Sequence, residues 1–106
     1  MNDVFKIEYS AEALEDLRGI FAYIAYELLS PGNAEGQVRR IQKTIHSLNF
    51  MPERFALVDW EPWKSRKTHK VVVDNFVVFY IVSSESDKVT IIRILYGGRD
   101  LRNIMR

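Results

Sequence analysis

The sequence predicts an α+β domain in which an N-terminal strand and an antiparallel helix hairpin pack on a small sheet with a C-terminal three-stranded antiparallel meander. Three observations support this fold class. Apolar residues alternate at period two near the N-terminus, recur at three- and four-residue steps between residues 14 and 48, and form nearly continuous runs after residue 70. The length of 106 residues fits one domain, which we expect to span residues 1–106.

The composition excludes several classes of protein. Hydrophobic residues make up 47% of the chain and charged residues 27%, which is typical of a packed protein and not of a disordered one. No apolar run approaches the ~18 residues of a membrane span, and the N-terminus lacks a signal-peptide pattern, so we expect a cytoplasmic protein with no membrane partner. The chain has no cysteine and two distant histidines, His46 and His69. We therefore expect no metal site and no cofactor.

The first strand and the first helix follow each other directly. Residues 5–9 alternate between apolar and charged side chains, the pattern of a strand with one buried face. Ser10 offers a hydroxyl that can cap the helix, whose carboxylates (Glu12, Glu15 and Asp16) are interpreted as a solvated face. The helix is expected to bury one apolar stripe. The stripe consists of Leu14, Leu17, Ile20 or Phe21, Ile24 and Leu28.

The second helix has a clearer pattern. Residues 30–33 form a polar turn that ends the first helix, and Asn33 is expected to cap the second, which ends before Pro52. Because the turn is short, the two helices should lie antiparallel with a shared apolar face. The second stripe consists of Ala34, Val38, Ile41, Ile45 and Leu48.

The segment from residue 50 to residue 65 shows neither period and contains two prolines. We interpret it as an ordered, irregular crossover in which Trp60 and Trp63 are packing anchors. The strand-rich last third begins with runs at 71–73 and 76–82, which flank an Asp74–Asn75 hairpin turn.

The third run of the meander, residues 89–96, is almost continuously apolar, so it should be central in the sheet. Gly97 and Gly98 end it, and residues 99–106 are expected to add a short helix.

Most familiar catalytic arrangements are missing, since there is no phosphate-binding glycine loop and no activated nucleophile motif. Five basic side chains without an acid lie between Lys64 and Lys70. They form either an ordinary solvated surface or a site for an anionic partner. His69, within this run, can titrate near neutral pH, but no carboxylate is placed in sequence to orient it.

Two arginines and three aromatic residues leave alternatives open. Arg93 interrupts an apolar strand, so it is either paired internally or presented to an anion. Arg99 follows a glycine pair at a strand end, where a guanidinium can bind a carboxylate or phosphate. Phe21, Tyr23 and Tyr26 either line a groove for a partner's amphipathic helix or belong to the core.

The order of these elements, together with several local strings, resembles the RelE/ParE superfamily of toxins from bacterial type II toxin–antitoxin modules. The strings are ALEDLRGI (13–20) followed by YIA (23–25), PER (52–54), and, most specific, VVDNFVVFY (72–80) with IRILYGGRD (92–100). The resemblance covers nearly the whole chain. It implies a RelE/ParE-like fold, a growth-inhibiting role of the plasmid-stabilisation type, and a cognate antitoxin that holds the toxin inactive in a hetero-oligomer. Phe21, Tyr23 and Tyr26 would then be the antitoxin contacts.

The superfamily divides by target. RelE-like members cut mRNA at the ribosome, whereas ParE-like members poison DNA gyrase. The nuclease branch carries an arginine after the aromatic residue that opens the second meander strand, and here Phe76 is followed by Val77. The resemblance therefore implies a ParE-like gyrase poison, with a RelE-like ribosome-dependent mRNA endonuclease as the alternative.

The resemblance also suggests site residues. In the nuclease case, Arg99, His69 and Lys70 would be catalytic. The residues expected to bind the target, whether gyrase or the ribosome with its mRNA, are Arg66, Lys67, Arg93 and Arg99. A hypothesis of another class is a small basic module that binds nucleic acid or protein and has no toxicity.

Overall fold

A computed structural model describes residues 4–105 and shows four strands and three helices there, in the order expected from the sequence. The elements are β1 (Lys6–Tyr9), α1 (Ala11–Ala22), α2 (Pro31–Ser47), β2 (His69–Val73), β3 (Phe76–Ser83), β4 (Lys88–Tyr96) and α3 (Leu101–Ile104). A π-helical segment, Tyr23–Glu27, continues α1, and one 3₁₀ turn, Pro52–Arg54, follows α2. None of the helices among these residues is long and apolar enough to cross a membrane.

The four strands form one sheet in the order β1-β4-β3-β2. The meander β2-β3-β4 is antiparallel, and β1 pairs with β4 in parallel. The predictions of an α+β fold and of a central last strand are confirmed, because β4 lies between β1 and β3. The predicted hairpin turn is also present, with Asp74 at φ 55°.

A bulge in β4 changes which residues face the helices. Phe79 pairs with Arg93, but the next residue, Tyr80, pairs with Ile91, so Ile92 is an additional residue on β4. A bulge re-aims side chains beyond the strict two-residue alternation. As a result Ile91 and Ile94, three positions apart, both belong to the core beneath the helices.

The first helix begins as predicted but buries a different stripe. The Ser10 hydroxyl accepts a hydrogen bond from the Ala13 amide at 3.0 Å, which confirms the cap. Ala13, Leu17 and Ala25 are buried, whereas Leu14 and Leu28 are exposed, so the predicted stripe is wrong at both ends. The wider turns of the π-helical segment rotate the side chains after residue 22 away from the 3.6-residue period, which explains the change near Leu28.

The second helix follows its predicted stripe, since Ala34, Ile41, Ile45 and Leu48 are fully buried. Its start is earlier than predicted. Pro31 occupies the first turn, where its fixed φ and missing amide proton cost nothing, and the Asn33 side chain donates to the Ser30 hydroxyl at 2.7 Å instead of capping the helix.

The sheet is covered on both faces. The helices cover one face, where the larger core cluster includes Leu17, Ile45 and Tyr80. The segment after α2 and the C-terminal helix cover the other face, where Trp60 and Trp63 pack against a second cluster. The interpretation of these tryptophans as packing anchors is confirmed. The second cluster consists of Val58, Val77, Phe79, Leu95 and Met105.

The buried Tyr80 hydroxyl makes the protein's stability depend on alkaline pH. It donates to the Pro52 carbonyl at 2.6 Å, and burial raises the pKa of Tyr80 to about 12. Unfolded tyrosine has a pKa of about 10, so above that pH the unfolded chain loses this proton first and unfolding is favoured. We expect about 2 kcal/mol of stability, present below pH 10, to be lost as the pH rises to 12.

Urea denaturation of the wild type and of Tyr80→Phe across pH 8–12 measures this loss. The variant should be less stable at pH 8 by about 1 kcal/mol, through the lost hydrogen bond, and should show a shallower alkaline decline. Parallel declines in the two proteins would contradict the assignment to Tyr80.

Candidate functional site

One side of β4 is bonded by a helix instead of a strand. β1 ends at Tyr9, which pairs with Ile91, so the rest of β4 has no strand partner on that side. Side chains from the start of α1 supply the missing hydrogen bonds. The Ser10 hydroxyl donates to the Ile92 carbonyl at 2.8 Å, and the Asp16 carboxylate accepts from the Ile94 amide at 2.9 Å.

The same carboxylate binds the arginine that interrupts β4. Arg93 donates to Asp16 through Nε at 2.8 Å and through Nη2 at 3.0 Å, and the two side chains are 25% and 13% exposed. This bidentate contact raises the pKa of Arg93. Of the two alternatives for Arg93, internal pairing is the one observed. The interpretation of Asp16 as a solvated carboxylate is wrong, because Asp16 faces β4 from the inner side of α1.

Next to this ion pair the molecule has a groove, here called the helix–sheet groove, with a volume of about 760 Å³. It lies between α1 with its π-helical extension and the ends of β3 and β4 that are closest to the Asp74 turn. Its rim carries exposed apolar side chains, namely Tyr23 (57% exposed), Leu28 (56%) and Tyr96 (48%). The other lining residues are Glu15, Asp16, Gly19, Ile20, Ile24, Gln37, Asn75, Phe76, Ile94, Leu95 and Arg99.

The shape of the groove near Arg99 depends on the glycine pair. Phe76 and Tyr96 are cross-strand partners whose rings meet edge to face at 5.8 Å. The Gly97 amide donates to the Asn75 carbonyl at 2.8 Å, and a Cβ on Gly98 would lie 2.5 Å from the Tyr96 ring. Any side chain at Gly98 would displace that ring. The glycines therefore let the chain turn tightly under Tyr96 and place Arg99 at the groove.

The residues predicted to contact an antitoxin are distributed unevenly around this groove. Tyr23 lines it. Phe21 is half-buried and Tyr26 is strongly exposed, and neither belongs to the lining. Their roles in antitoxin binding stay predictions.

The three residues predicted to be catalytic in a nuclease are not brought together. His69 is buried, stacks on the Tyr80 ring at 5.3 Å and holds its Nδ1 at 2.8 Å from the Phe55 carbonyl. Lys70 lies over Trp60 on the other face of the sheet. Arg99 follows the Phe76–Tyr96 end of the sheet, and along β3 that end lies four residues, about 13 Å at ~3.3 Å per residue, from the His69–Tyr80 pair.

The predicted target-binding residues also lie apart. Arg66 and Lys67 are exposed on the loop that follows Trp63, whereas Arg99 is at the groove. Arg93 has two of its donors engaged by Asp16. Their functional roles stay predictions.

The arrangement at the groove is suited to binding. It is concave and mainly apolar, with a carboxylate and a guanidinium among its lining residues. No group of three side chains that could hold a metal ion occurs within residues 4–105. Sequence reasoning missed Phe76, Tyr96 and Leu28 as lining residues. The string Tyr96-Gly97-Gly98 could have identified Tyr96. The glycine pair ends the strand there, so the aromatic ring just before it can be exposed at the strand end.

One family model matches the chain, and several solved structures share its fold. The family model described as the ParE toxin of the type II toxin–antitoxin system parDE matches residues 7–101. A chain of the chromosomal ParDE system from P. aeruginosa shares 18% sequence identity, with a TM-score of 0.72, over 90% of this chain and 98% of that one.

Two further solved structures show the same fold. A chain of the RelBE2 toxin–antitoxin complex from Mycobacterium tuberculosis is 14% identical, with a TM-score of 0.63, over 91% of this chain and 94% of that one. A chain of the archaeal RelE–RelB complex from Pyrococcus horikoshii is 14% identical, with a TM-score of 0.62, over 91% and 98%. No curated protein matches the sequence.

The Asp16 carboxylate should be more important for stability than its partner Arg93. Asp16→Ala leaves a half-buried guanidinium and the Ile94 amide without their acceptor, and we expect it to cost about 3 kcal/mol in unfolding free energy. Arg93→Met removes the charge and keeps the Asp16–Ile94 bond, so it should cost less. Urea denaturation at pH 7 measures both. An equal cost for the two variants, or an Asp16→Ala cost below 1 kcal/mol, would contradict this role.

Proposed function

Because this chain belongs to the ParE toxin family of type II toxin–antitoxin systems, we propose that it arrests growth in the cytoplasm of its host and is neutralised by a cognate antitoxin bound in the helix–sheet groove. The observation that carries the proposal is the groove itself, an open apolar depression of about 760 Å³ with an aromatic rim. The solved structures similar to this chain come from toxin–antitoxin systems, which supports an antitoxin as the partner.

The groove fits the apolar face of an amphipathic helix. Such a helix places anchors at positions i, i+3, i+4 and i+7 into a groove. Tyr23 and Leu28 on one side and Tyr96 on the other leave large apolar surfaces open to solvent, and burial of these surfaces supplies the driving force. Arg99 makes no ion pair within residues 4–105, so an acidic residue beside the antitoxin's apolar face would pair with it.

For the target, the geometry favours the gyrase-directed branch over the nuclease branch. RNA cleavage needs positive charge and proton-transferring groups at one phosphate. His69 is buried among Tyr80 and Phe55, and Lys70 points to the opposite face of the sheet. The sheet face beside Lys70 is apolar and covered by Trp60 and Trp63. These residues give no shared surface on which an mRNA phosphate would meet both groups.

One observation keeps the nuclease as a second candidate. Arg99 is exposed at the end of β4, at the edge of an open groove, and has no carboxylate within 4 Å among the described residues. A guanidinium in that position is free to bind a phosphate. The two candidates therefore differ in what the loss of Arg99 does to toxicity.

The groove can be tested by binding of the cognate antitoxin to the purified toxin. Tyr23→Ser and Leu28→Ser each remove an apolar side chain from the rim, and we expect each to weaken binding about 10-fold or more. Val72→Ser is the matched control, since Val72 is 65% exposed on β2 and lies outside the groove. Isothermal titration calorimetry measures the affinities. If Val72→Ser weakens binding as much as the rim variants, the antitoxin does not depend on this groove.

The target can be tested by inducing the wild type and Arg99→Ala in bacterial cells. DNA synthesis should fall within minutes, before protein synthesis, and a DNA-damage response should follow. Arg99→Ala should retain this effect, because under this proposal Arg99 pairs with the antitoxin and is not a required gyrase contact, in contrast to its expected role as a target-binding residue. Uptake of labelled thymidine and labelled amino acids follows the two processes separately. Protein synthesis that fails first, with cut transcripts and with loss of toxicity in Arg99→Ala, would instead establish the nuclease. Undisturbed growth would contradict the toxin function itself.

A further inference from the structure

The segment between the 3₁₀ turn and β2 contains a closed and ordered loop, residues 58–68, here called the crossover loop. Its two ends are joined, because the Val58 amide donates to the Thr68 carbonyl at 2.8 Å. Within it, the Lys64 amide donates to the Trp60 carbonyl at 2.8 Å and the Thr68 amide to the Trp63 carbonyl at 3.0 Å. The loop therefore presents its outward side chains from a fixed backbone.

The outward side chains carry more positive than negative charge. Lys64, Arg66 and Lys67 are exposed, and Lys70 follows on β2. Within residues 4–105, no carboxylate lies within 4 Å of any of these four cations. Neighbouring like charges without counterions create a positive potential that attracts anions.

The two carboxylates of the loop are engaged elsewhere. Asp59 lies 3.7 Å from Arg102 of α3. The Glu61 carboxylate accepts from the Ser65 amide at 2.9 Å, and its hydrogen bonds to Ser65 lower the pKa of Glu61. Both reduce the net charge of the surface, and the Lys64 charge helps to lower the pKa of Glu61, although neither carboxylate lies within 4 Å of the four cations.

The tryptophans hold some of the cations in place. The Arg66 guanidinium lies 5.1 Å from the centre of the Trp63 ring, and the Lys70 ammonium lies 5.9 Å from that of Trp60. The rings are fixed in turn, since Trp63 Nε1 donates to the Met105 carbonyl and Trp60 meets Phe79 edge to face at 6.1 Å. Because these cations are already restrained, binding an anion costs them less conformational entropy.

We propose that the crossover loop and Lys70 form a binding site for the phosphate backbone of duplex DNA. The site is separate from the helix–sheet groove and does not depend on which target the toxin has. Two features favour a nucleic acid duplex over an acidic protein and over a single strand. Lysine is depleted at protein–protein interfaces, and the crossover loop itself carries none of the large exposed apolar side chains that would anchor a protein partner, since Leu57 and Val72 lie outside residues 58–68.

The second feature separates duplex from single-stranded nucleic acid. Single strands bind through bases stacked on open aromatic faces. Here both indoles pack against the second core cluster and carry cations over their rings. The site therefore has cations that can contact a phosphate backbone, but it has no open aromatic face on which a nucleic acid base could stack.

Fluorescence anisotropy with a labelled duplex of about 20 base pairs, titrated with the full chain at several salt concentrations, tests the proposal. With four phosphate contacts, the wild-type affinity should fall about 150-fold between 50 and 200 mM salt. The variant K64Q/R66Q/K67Q should fall only about 4-fold over the same range and bind more weakly at 50 mM. The matched control R18Q/R39Q/K43Q removes the same charge from helix surfaces and should keep the wild-type salt dependence. Circular dichroism melting verifies that both variants fold.

Three outcomes would overturn the proposal. One is an equal loss of affinity in the two variants, which would mean that net charge alone governs binding. Another is tighter binding of a poly-glutamate peptide than of the duplex, which would identify an acidic protein as the partner. The third is tighter binding of single-stranded DNA than of the duplex. Growth arrest by the wild type and antitoxin binding by K64Q/R66Q/K67Q report on the proposed toxin function separately from the DNA site.

Discussion

The arrangement of this molecule depends on how the open side of β4 is satisfied. β1 is four residues long and β4 is nine, so more than half of the central strand lacks a neighbour on that side. Backbone groups left unpaired in a buried position are costly. Asp16 resolves this by accepting from the Ile94 amide and from two nitrogens of Arg93, while Ser10 both caps α1 and donates to Ile92. Those contacts fix the angle of α1 on the sheet, and the helix–sheet groove is the space that remains beside them.

The covering of both sheet faces gives the molecule two independent surfaces. The helices and the larger core cluster support the groove, whose apolar rim side chains are exposed to solvent. On the other face, the second cluster supports the crossover loop and its cations. Val77, Phe79 and Leu95 form the floor beneath that loop, so positions that face outward on a one-sided sheet are here part of a core. The two surfaces differ in chemistry, one apolar and one cationic, so they suit different kinds of partner.

Much of the fold could be predicted because its signals are local. The α2 stripe, the Ser10 cap and the Asp74 turn depend on residues close in sequence, and each is present. The errors arise where distant residues decide the outcome. Nothing near Asp16 indicates that Arg93, 77 positions later, turns a helix-surface carboxylate into a half-buried acceptor. The π-helical turns that expose Leu28 and the bulge at Ile92 break the regular periods on which pattern reasoning depends. The groove combines both effects, so only Tyr23 and Arg99 of its lining residues were identified as site candidates.

The parallel pairing of the first strand with the last has a consequence for biosynthesis. Contacts between elements so far apart in the chain form late in folding. The entropy of closing the long intervening loop is lost before the contacts contribute any stabilisation. During translation, Asp16 leaves the ribosome before its hydrogen-bond partners Arg93 and Ile94 have been synthesised. Strand β1 also has no neighbouring strand until β4 has been made. The nascent chain therefore has neither a closed sheet nor a groove. A chain built this way gains its groove only once β4 has been synthesised and has paired with β1 and β3.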